Sequence, residues 1–238
     1  MEKLNGKKVF VAGATGGIGS ALVKLLKQSG ADLFITGRNS QKLEELAQSL
    51  GLSVLQFAQA DLTKADQVAA LSQQVISNWG APEILVNASG IGIIKSVDLL
   101  SVEEFTQTLN ANLLAPFLLV KVFLPSMKEA KKGLIINIPG VLGKVPMAGA
   151  AAYSASKYGL LGMMQSIREE LKRTEIRITN IFMGGVDSPF WDTIDLKVQK
   201  EKMIREEEAA RSIWFLCQQP ISGVVSEMVL QPFNHQAI

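Results

Sequence analysis

Tyr153 and Lys157 stand four residues apart in Tyr153-Ser-Ala-Ser-Lys157, a spacing that puts both on one face of a helix. A free phenol titrates at about 10 and is a poor proton donor or acceptor at neutral pH. A neighbouring ammonium favours the phenolate and lowers that value, which suits reversible proton transfer to a carbonyl oxygen. Alone, Tyr-x-x-x-Lys is common on ordinary amphipathic helices. Here the small residues Gly149–Ala152 lead into it and an apolar run precedes it.

The second group is a glycine-rich turn, Gly13-Ala-Thr15-Gly16-Gly17-Ile18-Gly19, placed after the apolar run Val9–Ala12 and ahead of a helical pattern. Glycines there let the backbone turn tightly and approach a pyrophosphate. The helix that follows offers unpaired N–H groups and the positive end of its dipole. The alternative is a strand–helix turn that binds nothing. Other chemistries are short of residues. The chain has one cysteine, Cys217, and one histidine, His235, which excludes an internal disulfide and leaves no metal or histidine-triad site.

Seven short apolar runs have to position these groups: Val9–Ala12, Leu33–Thr36, Val54–Ala58, Ile84–Val86, Leu134–Ile138, Ile176–Phe182 and Glu227–Leu230. Most are too short for helices and too continuous for half-exposed strands, so they suit a parallel sheet buried on both faces. Helical patterns lie between them at roughly 18–29, 40–50, 64–78, 102–129, 152–173 and 205–217. Thr63 with Asp66, and Ser101 with Glu104, read as capping boxes. The alternation predicts an α/β chain of one domain over 1–238, doubly wound in the Rossmann manner around a mostly seven-stranded parallel sheet.

Lys and Arg number 24 against 22 Asp and Glu, so no basic field for nucleic acid or acidic partners is expected. The stretch Met1–Lys8 has no apolar leader, and the longest uncharged apolar run, Leu113–Val120, stops at Lys121. A soluble, cytoplasmic protein away from membranes is expected.

From Gly13 to the last strand the chain resembles the short-chain dehydrogenase/reductase family, whose turn reads Thr-Gly-x-x-x-Gly-x-Gly. Ala12 replaces the Thr, while Gly13, Gly17 and Gly19 fit. The resemblance implies a nicotinamide dinucleotide as cofactor. NAD-preferring members carry an acid near the end of the second strand, where this chain has Gly37 and then Arg38. With no carboxylate to repel a 2′-phosphate and a guanidinium able to grip it, NADP(H) is expected over NAD(H). The other reading of Arg38 is a solvated loop arginine. Asp61-Leu62 falls where the family meets the adenine amino group. Asn87-Ala-Ser-Gly90 matches its Asn-Asn-Ala-Gly, with Ala88 and Ser89 departing.

The same resemblance implies catalysis by Tyr153 and Lys157, with Lys157 also on the nicotinamide ribose. Asn112 is implied as the helix residue whose carbonyl holds a proton-relay water. Asn110 competes, but Pro116-Phe117 sets the register on Asn112, and simple helix packing stays open. The family serine lies thirteen positions before the tyrosine, and here that place is Gly140. Losing such a donor costs on the order of 10²–10³ in kcat. A backbone N–H at Gly140 is one conceivable replacement; Ser154 and Ser156 lie on other helix faces. The family's Pro-Gly-x-x-x-Thr reads Met183-Gly184-Gly185-Val186-Asp-Ser188, keeping a hydroxyl for the carboxamide and predicting a looser turn.

A lid is expected at about 187–203, carrying Pro189, Phe190 and Trp191, aromatics that suit either an apolar substrate or core packing. The charged run Lys197–Arg211 reads as a solvated face. The apolar excess of 102–129 and 152–173 predicts a homodimer or homotetramer, unless Gly159 and Gly162 pack internally. Two functions follow: an oxidoreductase acting on a small-molecule carbonyl or alcohol, or a dinucleotide-binding protein with little turnover.

Overall fold

The structure is a computed structural model that describes residues 1–220 and 222–234. His235, to which no function was assigned, lies outside the described residues. Strands β1 (Lys8–Ala12), β2 (Asp32–Gly37), β3 (Phe57–Gln59), β4 (Ile84–Asn87), β5 (Gly133–Asn137) and β6 (Ile176–Met183) are followed by two short strands. These are β7 (Val186–Asp187) and β8 (Ile204–Arg205), which pair with each other, and β9 (Glu227–Leu230) closes the order. The main sheet has seven parallel strands in the order β3-β2-β1-β4-β5-β6-β9. The order reverses between β1 and β4, which opens a crevice at their carboxyl ends.

Helices α1 (Gly17–Gln28), α2 (Ser40–Ser49), α3 (Ala65–Asn78), α4 (Val102–Leu109), α5 (Ala115–Glu129), α6 (Ala151–Glu170) and α7 (Glu206–Leu216) cover the two faces. Period-two alternation divides the core. Val9, Val11 and Ile35 point toward α1, α2 and α7, while Phe10, Phe34 and Leu85 point toward α3, α5 and α6. Both faces are buried, which is why the strands read as continuous apolar runs.

Two local expectations need correction. The third strand starts at Phe57, not Val54, because Gln56 accepts from the Ser53 N–H at 3.1 Å and closes a turn that leaves Val54 77% exposed. Thr63 does not cap α3: its N–H and hydroxyl both donate to Asp61 Oδ1, at 3.0 and 2.7 Å. The Ser101–Glu104 box is present, with both reciprocal bonds at 3.1 Å.

The span 102–129 is helical throughout but widens into a π-turn at Asn110–Leu114. Its cause is visible in the sequence. In an unbroken α-helix the Asn112 carbonyl would accept from residue 116, and Pro116 has no N–H. By length and composition this is a helix able to cross a membrane; half of its most apolar window is buried in the protein. Leu119, Phe123 and Met127 are wholly enclosed against the sheet.

Candidate active site

The cradle at the switch point is built from glycines. Gly13 has φ +77°, and a Cβ there would lie 2.7 Å from the Ser89 nitrogen, so the turn after β1 and the loop after β4 abut. A Cβ on Gly19 would strike the Gly13 carbonyl, so this glycine lets α1 pack against β1. The N-terminus of α1 has no side-chain cap and no acid in its own first turn, leaving its N–H groups for an outside anion. These features fit a dinucleotide diphosphate.

A cleft of about 290 Å³ runs from this turn past Gly13, Thr15, Arg38, Asp61, Leu62 and Gly90. A Cβ on Gly37 would lie 2.8 Å from Thr15 Oγ1, so an acidic side chain fits there only if Thr15 shifts. Burial alone would raise the Asp61 carboxyl. The Thr63 hydrogen bonds and the charges of Arg38 and Lys64 outweigh it and hold Asp61 below its usual value. Asn87 is buried, and its Oδ1 accepts from the Ser89 hydroxyl at 2.7 Å, which stiffens the departing loop. The Ile18 side chain packs into the core beside α1, and Leu62 is buried on the opposite face.

Across the crevice, Lys157 is buried and its Nζ donates to the Ile138 carbonyl at 2.9 Å, just past β5. The same nitrogen lies 5.4 Å from the Tyr153 ring centre and 3.7 Å from where a Gly90 Cβ would be. One ammonium thus lies between the loop after β4 and the phenol ring. Burial pushes it down to about 8. Burial also pushes the Tyr153 phenol up, so the expected lowering by its ammonium neighbour is not what this packing produces. Phe190 stands edge-on to Tyr153, with centroids 5.8 Å apart, while Trp191 is tied back by its Nε1 donating to the Val186 carbonyl at 2.8 Å.

Asn112 is enclosed. Its Oδ1 accepts from the Ile91 N–H at 2.9 Å, and its Nδ2 donates to the Ile91 carbonyl at 2.9 Å and to Ser156 Oγ at 3.1 Å. Asn110 faces an apolar hollow instead. Ser156 in turn donates to the Tyr153 carbonyl at 2.7 Å, so it ties the two helices together.

Two readings of the departures are corrected. The Gly140 N–H donates to the Ile181 carbonyl at 3.2 Å, so it does not replace a serine hydroxyl. Its φ of 72° and ψ of 170° belong to a region that glycine alone occupies readily. The turn at Met183 is not loose. Gly184 donates to the Leu230 carbonyl at 2.8 Å, and Val186 pairs with Ile204. Ser188 follows, half-buried, at the head of a short 3₁₀ turn.

Sequence reasoning missed Lys42 and Asn39, which line the cleft beside Arg38; Asn39 also caps α2, accepting from the Lys42 N–H at 2.9 Å. It also missed Glu206. This half-buried carboxylate, read as part of a solvated charge run, lies against Gly17 in the space a Cβ would fill. Sequence reasoning missed Asn137 and Asn180 as well, which stand in register with Asn87 across three strands and whose amides have no hydrogen-bond partner among the described residues.

Comparison with known proteins agrees with this geometry. The family model for short chain dehydrogenases matches residues 7–199. An uncharacterized oxidoreductase of Staphylococcus epidermidis is 30% identical over 232 residues, covering 98% of this chain and all of that one. An alcohol dehydrogenase from the archaeon Thermococcus sibiricus, solved with 5-hydroxy-NADP, superposes with a TM-score of 0.87 at 26% identity, over 98% of this chain and 99% of that one. A metagenomic short-chain oxidoreductase in complex with NADP gives 0.84 at 30% identity, over 97% and 99%. The fold order, the glycine cradle and these matches converge: the chain belongs to the short chain dehydrogenase family of oxidoreductases.

Proposed function

We propose that the protein is an NADP(H)-dependent oxidoreductase that interconverts a carbonyl compound and an alcohol. The observation that carries this reading is the position of Lys157 Nζ, 2.9 Å from the Ile138 carbonyl and beside both Gly90 and the Tyr153 ring. Gly13, Gly17 and Gly19 would seat the diphosphate and Arg38 with Lys42 the 2′-phosphate; the nicotinamide, when bound, supplies or accepts the hydride. Tyr153 gives its proton to the carbonyl oxygen during reduction and recovers it during oxidation. A phenol pushed up by burial is protonated at neutral pH, the form that reduction needs. Lys157, lowered to about 8, still carries its proton at pH 7 and holds positive charge beside the oxygen that becomes anionic. Asn112 positions the Gly90–Ile91 loop, and Pro116 relieves its carbonyl of an α-helical partner. Two similar solved structures support the phosphorylated cofactor: the alcohol dehydrogenase and the metagenomic oxidoreductase were solved with NADP or a derivative.

A second reading, a dinucleotide-binding protein with little turnover, is favoured by Gly140. That position offers neither hydroxyl nor free N–H to a substrate oxygen. Following NADPH absorbance with ketones, aldehydes and quinones decides between them. Turnover of any carbonyl supports the enzyme. Tight NADPH binding with no turnover supports the second reading.

We also propose a homodimer or homotetramer, working in the cytoplasm, assembled through α4, α5 and α6. Leu113, Leu114, Phe117 and Met163 line an apolar hollow there, and Phe117 is 40% exposed. Gly159 packs internally against Leu113, whereas a Cβ on Gly162 meets nothing. Light scattering is the check, and a monomer at micromolar concentration contradicts it. Cys217 is buried and its thiol is pushed up to about 12, so it stays an inert core residue.

A further inference from the structure

The first and last glycines of the cradle are accounted for by contacts within the protein: Gly13 by the loop after β4, Gly19 by the close approach of α1 to β1. The remaining role in such a turn, a bare backbone that a diphosphate can approach, falls to Gly17. The open cleft includes Gly13, Thr15 and Gly16 and ends there. At the next residue the space beside the Gly17 Cα is taken by the carboxylate of Glu206, from the first turn of α7.

We infer that Glu206 is a displaceable acidic gate over the diphosphate seat, so that dinucleotide affinity is set by whether this carboxylate is charged and where it lies. The inference rests on the reading that Gly13–Gly19 binds a dinucleotide. Two like charges cannot share the N-terminus of α1 without cost, so the diphosphate binds only as Glu206 swings aside or takes up a proton.

The surroundings of Glu206 make that gate responsive to pH. Burial raises it first, and Glu207 on α7 and Asp187 on β7 add to the rise. Lys24, two turns along α1 from Gly17, opposes them. Arg205 on β8 is engaged by Glu208, and Lys27 lies in the last turn of α1, away from the seat. Glu206 therefore loses its charge at a higher pH than an ordinary glutamate does, and acidification opens the gate.

Dissociation constants for NADPH and for adenosine 2′-monophosphate, which lacks the diphosphate, test this in the wild type, Glu206→Gln, Glu206→Ala and the control Glu207→Gln. On this inference Glu206→Gln binds NADPH on the order of tenfold tighter near pH 8, and Glu206→Ala at least as tightly. Adenosine 2′-monophosphate binds all four proteins alike, and Glu207→Gln changes little. The ratio of wild-type to Glu206→Gln constants for NADPH shrinks toward one as the pH falls from about 8 toward the carboxylate range. NADPH binding that is unchanged or weaker in folded Glu206→Gln overturns the gate while leaving the cofactor reading intact. Failure of every protein, wild type included, to bind NADPH or NADH removes the cofactor reading and the gate with it. Melting curves on each variant confirm that it is folded.

Discussion

Asn112 Nδ2 donates to Ser156 Oγ at 3.1 Å inside the protein, and that hydroxyl in turn donates to the Tyr153 carbonyl at 2.7 Å. The π-turn and α6 are thereby joined by one buried hydroxyl. Ser156→Ala leaves an amide hydrogen unpaired, a loss of about 1–3 kcal/mol. A lower melting temperature and a lower kcat, with NADPH affinity kept within about threefold, are expected. An unchanged kcat would show that this link does not position Tyr153.

Burying Lys157 costs stability. Its folded value, about 8, lies below the roughly 10.4 of an unfolded lysine. Between those values the unfolded chain binds more protons, so stability rises with pH through that window and the penalty is fully present below about 8. Lys157→Met is expected to abolish turnover while matching or exceeding wild-type stability at pH 7, by on the order of 1–3 kcal/mol. It should also lack the wild-type gain on alkalinisation. Denaturant titrations at about pH 7 and pH 10 read both effects.

Gly140 cannot be returned to serine without strain. Its backbone, φ 72° and ψ 170°, lies where a Cβ is disfavoured, and a Cβ would stand 3.3 Å from the Met183 carbonyl. Gly140→Ser is expected to lose about 1–3 kcal/mol of stability and gain no turnover. A more active, equally stable variant would show that the loop after β5 readily adopts a second conformation.

Arg38 and Lys42 both line the cleft. Arg38→Ala is expected to weaken NADPH on the order of tenfold to a hundredfold through the loss of a charged hydrogen-bonding fork, with little effect on NADH. Equal losses for the two cofactors would assign Arg38 to the loop's own structure.

The fold was legible because parallel strands buried on both faces announce themselves as apolar runs, and because β1 leads straight into the glycine turn. Position 54 misled for a local reason: Gln56 folds back on Ser53, so an apolar Val-Leu pair ends in a turn and not in the sheet. Thr63 misled because an aspartate two residues earlier competes for its hydrogen bonds. At the site, spacing put Tyr153 and Lys157 on one helix face, and Asn112 came from the resemblance to the family; the π-turn beside Asn112 went unread, although Pro116 lacks the N–H that its carbonyl would need. Glu206 was not readable. Its meaning depends on α7 packing against α1, which brings together residues about 190 positions apart that no local pattern connects.

The most direct test of Tyr153 as the proton donor beside a dinucleotide cradle is the rate of NADPH-dependent carbonyl reduction by the wild type and by Tyr153→Phe. The account expects turnover of at least one carbonyl by the wild type. It expects a loss of about 10²–10⁴-fold in kcat for Tyr153→Phe, with the NADPH dissociation constant unchanged. A Tyr153→Phe protein that keeps the wild-type rate would contradict it.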